Sequence, residues 1–148
     1  TVDIRQSITF ATLLSLAATV HASPVGLWRT QDDRTEEPRA IVEIAEQDGA
    51  LVGRIVEVLD PGAPQDARCA LCTDERRDAP IVGLTIIRNV QPNGRANGPW
   101  DGGDILDPND GKVYRVRLKL AEGGRRLEVR GYLGTPLLGR TQIWHRVD

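Results

Sequence analysis

In Val113-Tyr114-Arg115-Val116-Arg117-Leu118-Lys119-Leu120, apolar and basic residues alternate without a break from Tyr114 onward. Such a period of two marks a strand with one buried face, because successive side chains of an extended chain point to opposite sides. Tyr114, Val116, Leu118 and Leu120 are expected inside, with Arg115, Arg117 and Lys119 outside. After a turn at residues 121–126, Leu127, Val129, Gly131 and Leu133 resume the inner face while Glu128, Arg130 and Tyr132 face outward, so the two segments form an antiparallel hairpin. With Leu120 opposite Leu127, Lys119 meets Glu128, Arg117 meets Arg130 and Arg115 meets Tyr132. The result is an ion pair, a like-charge pair that needs a neighbouring carboxylate, and a cation–π contact. Upstream, Asp107-Pro108-Asn109-Asp110-Gly111 is a turn string, so residues 100–106 fold back as the next strand and bring Asp101 or Asp104 beside those arginines.

Working outward, residues 25–30, 39–45 and 51–59 are further strands, the last two joined by the short loop Glu46-Gln47-Asp48-Gly49, and residues 139–146 close the series. Residues 81–90 are apolar and β-branched, but Gly83 leaves strand and helical turn both open. Residues 60–80 form a polar loop with three prolines, of a length that is usually functional or disordered. Seven to eight short strands at hairpin spacing predict an all-β fold, a compact antiparallel up-and-down barrel whose closure removes exposed sheet edges. The 148 residues suffice for one such domain, expected over residues 23–148.

Residues 1–22 read as a signal peptide: Arg5 near the start, a 13-residue uncharged stretch from Ile8 to Val20, and small Ala22 ahead of Ser23-Pro24. Cleavage after Ala22 would place the protein in the periplasm or outside the cell. The uncharged stretch is too short to span a bilayer. With 19 basic against 21 acidic residues there is no basic field for a nucleic acid. Past Ala22 the only serine is Ser23 and the only histidine is His145, which leaves a Ser-His-Asp triad without a nucleophile inside the fold. One histidine and one cysteine pair do not make a closed zinc site, and no glycine string opens a helix to cradle phosphate. No catalytic residue and no cofactor are expected.

Cys69 and Cys72 form a CxxC in the long loop. In an oxidising compartment such a pair reads first as a structural disulfide. Thiol exchange, with Arg68, Arg76 and Arg77 as nearby cations, and half of a metal site shared with a partner are the alternatives. Asp101, Asp104, Asp107 and Asp110 recur every third residue, yet turn chemistry explains them better than calcium. Arg115, Arg117 and Arg130 read as a solvated basic face. The glycine-rich run of residues 131–140 reads as a tight barrel corner, with close ligand approach as the alternative. The candidate ligand-binding residues are the aromatics Trp28, Trp100, Tyr114, Tyr132 and Trp144, together with Arg140.

Gly26-Leu27-Trp28 in the first strand, and Trp144 with Arg140 and Arg146 in the last, resemble the calycin, or lipocalin-like, arrangement. That resemblance implies a first-strand tryptophan plugging one barrel end with a last-strand arginine across its face. The strings GLWRT, IVGLTII, PWDGGDILDPNDGKVYRVRL and VRGYLGTPLLGRTQIW resemble, in order and spacing, the bacterial secreted family called domain of unknown function (DUF) 2147, over residues 26–146. The resemblance implies a lipocalin-like barrel and an exported protein, and no reaction. Three functions follow as expectations: binding of a small apolar or amphipathic molecule, interaction with another envelope protein, and thiol redox chemistry at Cys69 and Cys72. A hollow interior would favour the first, whereas a solid interior with an ordered long loop would favour the second.

Overall fold

The computed structural model describes residues 23–94 and 98–147. The expected signal peptide lies outside them. Eight strands follow in order: β1 Gly26–Gln31, β2 Pro38–Gln47, β3 Ala50–Val58, β4 Thr85–Pro92, β5 Trp100–Asp107, β6 Lys112–Ala121, β7 Arg126–Tyr132 and β8 Gly139–Arg146. Each pairs antiparallel with the next, and β1 pairs with β8, so the sheet closes into a barrel. A single 3-10 turn, Glu122–Gly124, joins β6 to β7.

The β6–β7 hairpin keeps the register expected from its alternation: Leu120 faces Leu127, Lys119 faces Glu128, Arg117 faces Arg130 and Arg115 faces Tyr132. The like-charge pair is relieved on both sides. Asp101 lies 3.9 Å from the Arg117 Nε, while Arg130 donates to the Pro136 carbonyl at 2.6 Å and to the Thr141 hydroxyl at 2.8 Å. Asp104 turns instead to Arg88, at 3.2 Å. Between β2 and β3, Gln47 pairs with Ala50, and both Asp48 and Gly49 take positive φ (53° and 81°). That is the two-residue turn whose twist matches the flanking strands.

Two expectations change. Residues 81–83 do not extend β4: the Leu84 N–H donates to the Ile81 carbonyl and Gly83 has φ 93°, so a turn precedes the strand, which starts at Thr85. Tyr132, expected to face outward, is buried, and Leu133, expected inside, is 57% exposed. Tyr132 pairs with Gly139, where an added Cβ would lie 2.7 Å from the tyrosine Cβ. The missing side chain leaves space into which the neighbouring aromatic settles, a known way of covering a glycine in a sheet.

The barrel has two unlike ends. At the closed end Trp28, Ile44, Leu51, Val90, Leu118 and Leu127 fill the interior. Each such side chain stabilises the fold by about 1.5–3 kcal/mol, more for the indole. Arg146 seals this end: its guanidinium sits 4.3 Å from the Trp28 ring centroid and donates to the carbonyls of Gly124, Val25 and Ser23. The Trp28 indole N–H donates to the Pro24 carbonyl at 2.7 Å. Gly26, with φ 138°, is required here, since a Cβ would meet the Arg146 guanidinium at 2.6 Å. The opposite end carries the connections 32–37, 59–84, 108–111 and 133–138.

Candidate functional site

A cavity of about 1000 Å³ opens at that second end. Its walls include Val42, Ile55, Ile86, Ile105, Val129 and Trp144. Strand alternation places two polar residues among them. Thr30 lies two residues beyond Trp28 on β1, and Gln142 lies two residues before Trp144 on β8, so both share the inward face of their tryptophan. The Trp144 indole N–H donates to Gln142 Oε1 at 3.0 Å. Gly131 also lines the cavity: a Cβ there would stand 3.7 Å from Ile105 and Tyr114, ordinary contact, so the position holds open space that a side chain would fill.

The charged groups of the site gather at the rim, where the connecting loops begin. Arg39 bridges Asp32, at 2.8 Å, and Asp60. Backbone N–H groups of Thr35 and Arg34, and then Arg39, hold the Asp32 carboxyl well below its usual range. Arg140 pairs with Asp33 at 2.8 Å. The Tyr114 hydroxyl donates to Asp110 at 2.6 Å, and that bond pushes the phenol up to about 12. Burial works against ionisation of Asp110, but the bonds from Tyr114 and from the Lys112 N–H outweigh it and keep the carboxyl below its ordinary value.

Four of the expected ligand-binding residues, Tyr114, Tyr132, Arg140 and Trp144, line this cavity. Trp28 and Trp100 stand apart from it. Trp28 lies under Arg146, and Trp100 pairs with Leu118 near the end of β6, so both belong to the closed end. The arginine across the Trp28 face is Arg146, while Arg140 lies at the open rim. Thr30, Gln142 and the Asp32–Arg39–Asp60 group were not singled out from sequence. Inward polar residues beside a strand tryptophan were the available signal.

Cys69 and Cys72 are joined in a disulfide. Cys69 is fully buried and Cys72 nearly so, within the same apolar cluster as Leu84 and Leu106. Their loop is ordered by the bridge between Arg68 and Pro80 and by Arg76, which is buried between Asp74, at 2.6 Å, and the Thr85 carbonyl, at 2.9 Å. Arg76 holds the Asp74 carboxyl down to about 2. The loop packs on the β5–β6 turn, because a Cβ at Gly111 would overlap the Leu71 carbonyl. The interior is hollow at one end and the long loop is ordered, so the feature expected of a carrier and the feature expected of an interaction module occur together.

Among the described residues, no helix is long and apolar enough to cross a membrane. No curated protein matches the chain. A solved structure, protein HP1028 from the human pathogen Helicobacter pylori, described as belonging to the lipocalin family, is similar in fold. The TM-score is 0.73 at 22% identity, over 86% of this chain and 85% of that one. A family model for uncharacterized proteins conserved in bacteria matches residues 26–146, nearly the whole barrel, and the chain belongs to that family, DUF2147.

Proposed function

We propose that this protein is an exported carrier that takes a small apolar or amphipathic molecule into the open end of its barrel. The observation that supports this most is the cavity of about 1000 Å³, walled by aliphatic side chains and Trp144 and open to solvent at a polar rim. Binding pockets for small molecules are of roughly 300–1,000 Å³ and combine apolar walls with few polar groups in this way. Export is supported by the disulfide between Cys69 and Cys72 and by the signal-like residues 1–22. Tyr114, Tyr132, Arg140 and Trp144 are the proposed contacts among the residues expected from sequence.

Native mass spectrometry of protein purified from the periplasm tests the reading, with a denatured run alongside. A mass excess lost on denaturation is expected. A Gly131→Trp variant, whose Cβ the wall accommodates, should narrow the cavity and reduce that excess. A bare mass, together with no uptake of the uncharged fluorophore N-phenyl-1-naphthylamine, would discard the carrier reading. The second reading, an interaction module for an envelope protein, draws support from Leu133, Leu137 and Leu138, which stand exposed on the 133–138 loop beside the mouth.

A further inference from the structure

We infer that the ligand is an uncharged amphiphile whose buried end carries an oxygen acceptor, held by Thr30 and Gln142 beside Trp144. This rests on the carrier reading and goes on to name the ligand's chemistry. Thr30 is only 8% exposed and lines the cavity, and its hydroxyl bonds to no described residue but is open to the cavity, since Arg117 Nε is the buried side-chain polar atom left unpaired among the described residues. A hydroxyl open only to an apolar-walled cavity takes its hydrogen-bond partner from whatever occupies that cavity. Gln142 gives the direction of the missing bond. An indole N–H can only donate, so the Gln142 atom that receives Trp144 is the carbonyl oxygen. The amide NH2 is then the free end on a residue that lines the cavity, and it can only donate. The two sites are neighbours. The last β1–β8 pair is Arg29 with His145, and Thr30 and Trp144 are the next residues on each strand toward the open end.

The charge distribution removes the ionic alternatives. Among the described residues, the charged side chains that line the cavity lie in the open-end connections or at the strand ends next to them, so an ionised group placed beside Trp144 would lose its hydration without a nearby counterion. At the rim, five aspartates line the cavity against four arginines, and Arg39 and Arg140 are already engaged by Asp32, Asp60 and Asp33. A carboxylate head would therefore meet a field slightly of its own sign. Ketones, esters, lactones and quinones meet both requirements: a neutral body and an oxygen that accepts.

The test displaces N-phenyl-1-naphthylamine from the wild-type chain with 2-decanone or with decanoate at pH 8, and repeats the titration on Thr30→Val and Gln142→Leu variants. We expect the ketone to compete at roughly tenfold lower concentration than the carboxylate. Each substitution should weaken the ketone by roughly two- to tenfold relative to decanoate, with both inhibition constants corrected for the fluorophore affinity measured on that variant. An unchanged far-UV circular dichroism spectrum and urea midpoint show that the variants are folded. Decanoate competing as well as the ketone, or a ketone preference that survives both substitutions together, would overturn the inference while the carrier reading stands. Failure of the wild-type chain to bind the fluorophore or either competitor would overturn both.

Discussion

Tyr114 stands at the rim with its phenol committed to Asp110 at 2.6 Å, and that contact has a spectroscopic signature. Ionising the phenol would place two negative oxygens together, which is why the group is pushed up to about 12. In a Tyr132→Phe background, where Tyr114 is the tyrosine left in the barrel, the alkaline absorbance change should occur near pH 12, and Asp110→Asn should bring it down toward the ordinary value of about 10. A midpoint unmoved by Asp110→Asn would show that the hydrogen bond is not the cause. Trp28 illustrates the other kind of aromatic. It is buried completely beneath Arg146, away from the cavity, so its place in a GxW string reports a plug and not a ligand contact. Tryptophan in a strand looks the same in sequence whichever end of the barrel it occupies. For that reason four of the six expected contacts line the cavity, and Trp28 and Trp100 do not.

Strands were legible where their alternation was uninterrupted. The β6–β7 register could be written down residue by residue because a slip of one would have turned Leu118, Leu120 and Leu127 to solvent. The start of β4 was not legible, since Ile81 and Val82 have strand character and only the turn at Gly83 excludes them. Closure of β1 on β8 is expected from the strand count and from the resemblance that sets a last-strand arginine over Trp28, but the register of the seam is not legible, because pairing between chain ends has no local signature. In the structure its ladder consists of Trp28 with Arg146 and Arg29 with His145, whereas β7 pairs with β8 along its whole length. Toward the open end the ion pair between Arg140 and Asp33 spans the two sides. Amide exchange along β8 should therefore alternate over residues 139–144, slow where the N–H meets β7 and fast where it faces β1. Uniform protection there would mean that the seam is zipped to the rim. The disulfide acts at the same scale. It closes a loop of only three residues in sequence separation, so removing it with Cys69→Ala and Cys72→Ala should lower stability by about 2 kcal/mol. Exchange should rise in residues 66–81 and stay unchanged in β6 and β7. A loss of barrel protection would assign the cysteines a global role instead.

Taken whole, the molecule divides its interior: one end is packed and sealed by Arg146, and the other is left open under a rim of paired charges. Small eight-stranded barrels are filled by side chains or leave a cavity, and this one is packed at one end and hollow at the other. Glycine at position 131, where a side chain would enter the cavity, is one reason the open end is not filled as the end holding Trp28 and Leu127 is. Carboxylates at the rim and in the long loop also set how the whole fold responds to pH. Asp32, Asp74 and Asp110 all have carboxyls held below their ordinary values, by backbone N–H donors, by Arg76 and by Tyr114 respectively. A carboxyl of lower pKa in the folded chain binds fewer protons than in the unfolded chain, so its stabilisation is complete above the unfolded value of about 4 and is lost as pH falls toward 2. Burial, with Arg126 and Arg29 nearby, lowers the His145 value too. The unfolded chain then protonates first, near pH 6.5, and stability begins to decline from there as pH falls. Tyr114 has the opposite sign, contributing below about pH 10 and losing that contribution as pH rises to about 12. Urea midpoints measured from pH 2 to 11 should thus form a plateau between about 7 and 9, a shallow decline below about 6.5 that His145→Gln removes, and a steep fall below about 4. A plateau that continues unbroken to pH 3 would show that these carboxylates are no better bound in the folded chain than in water.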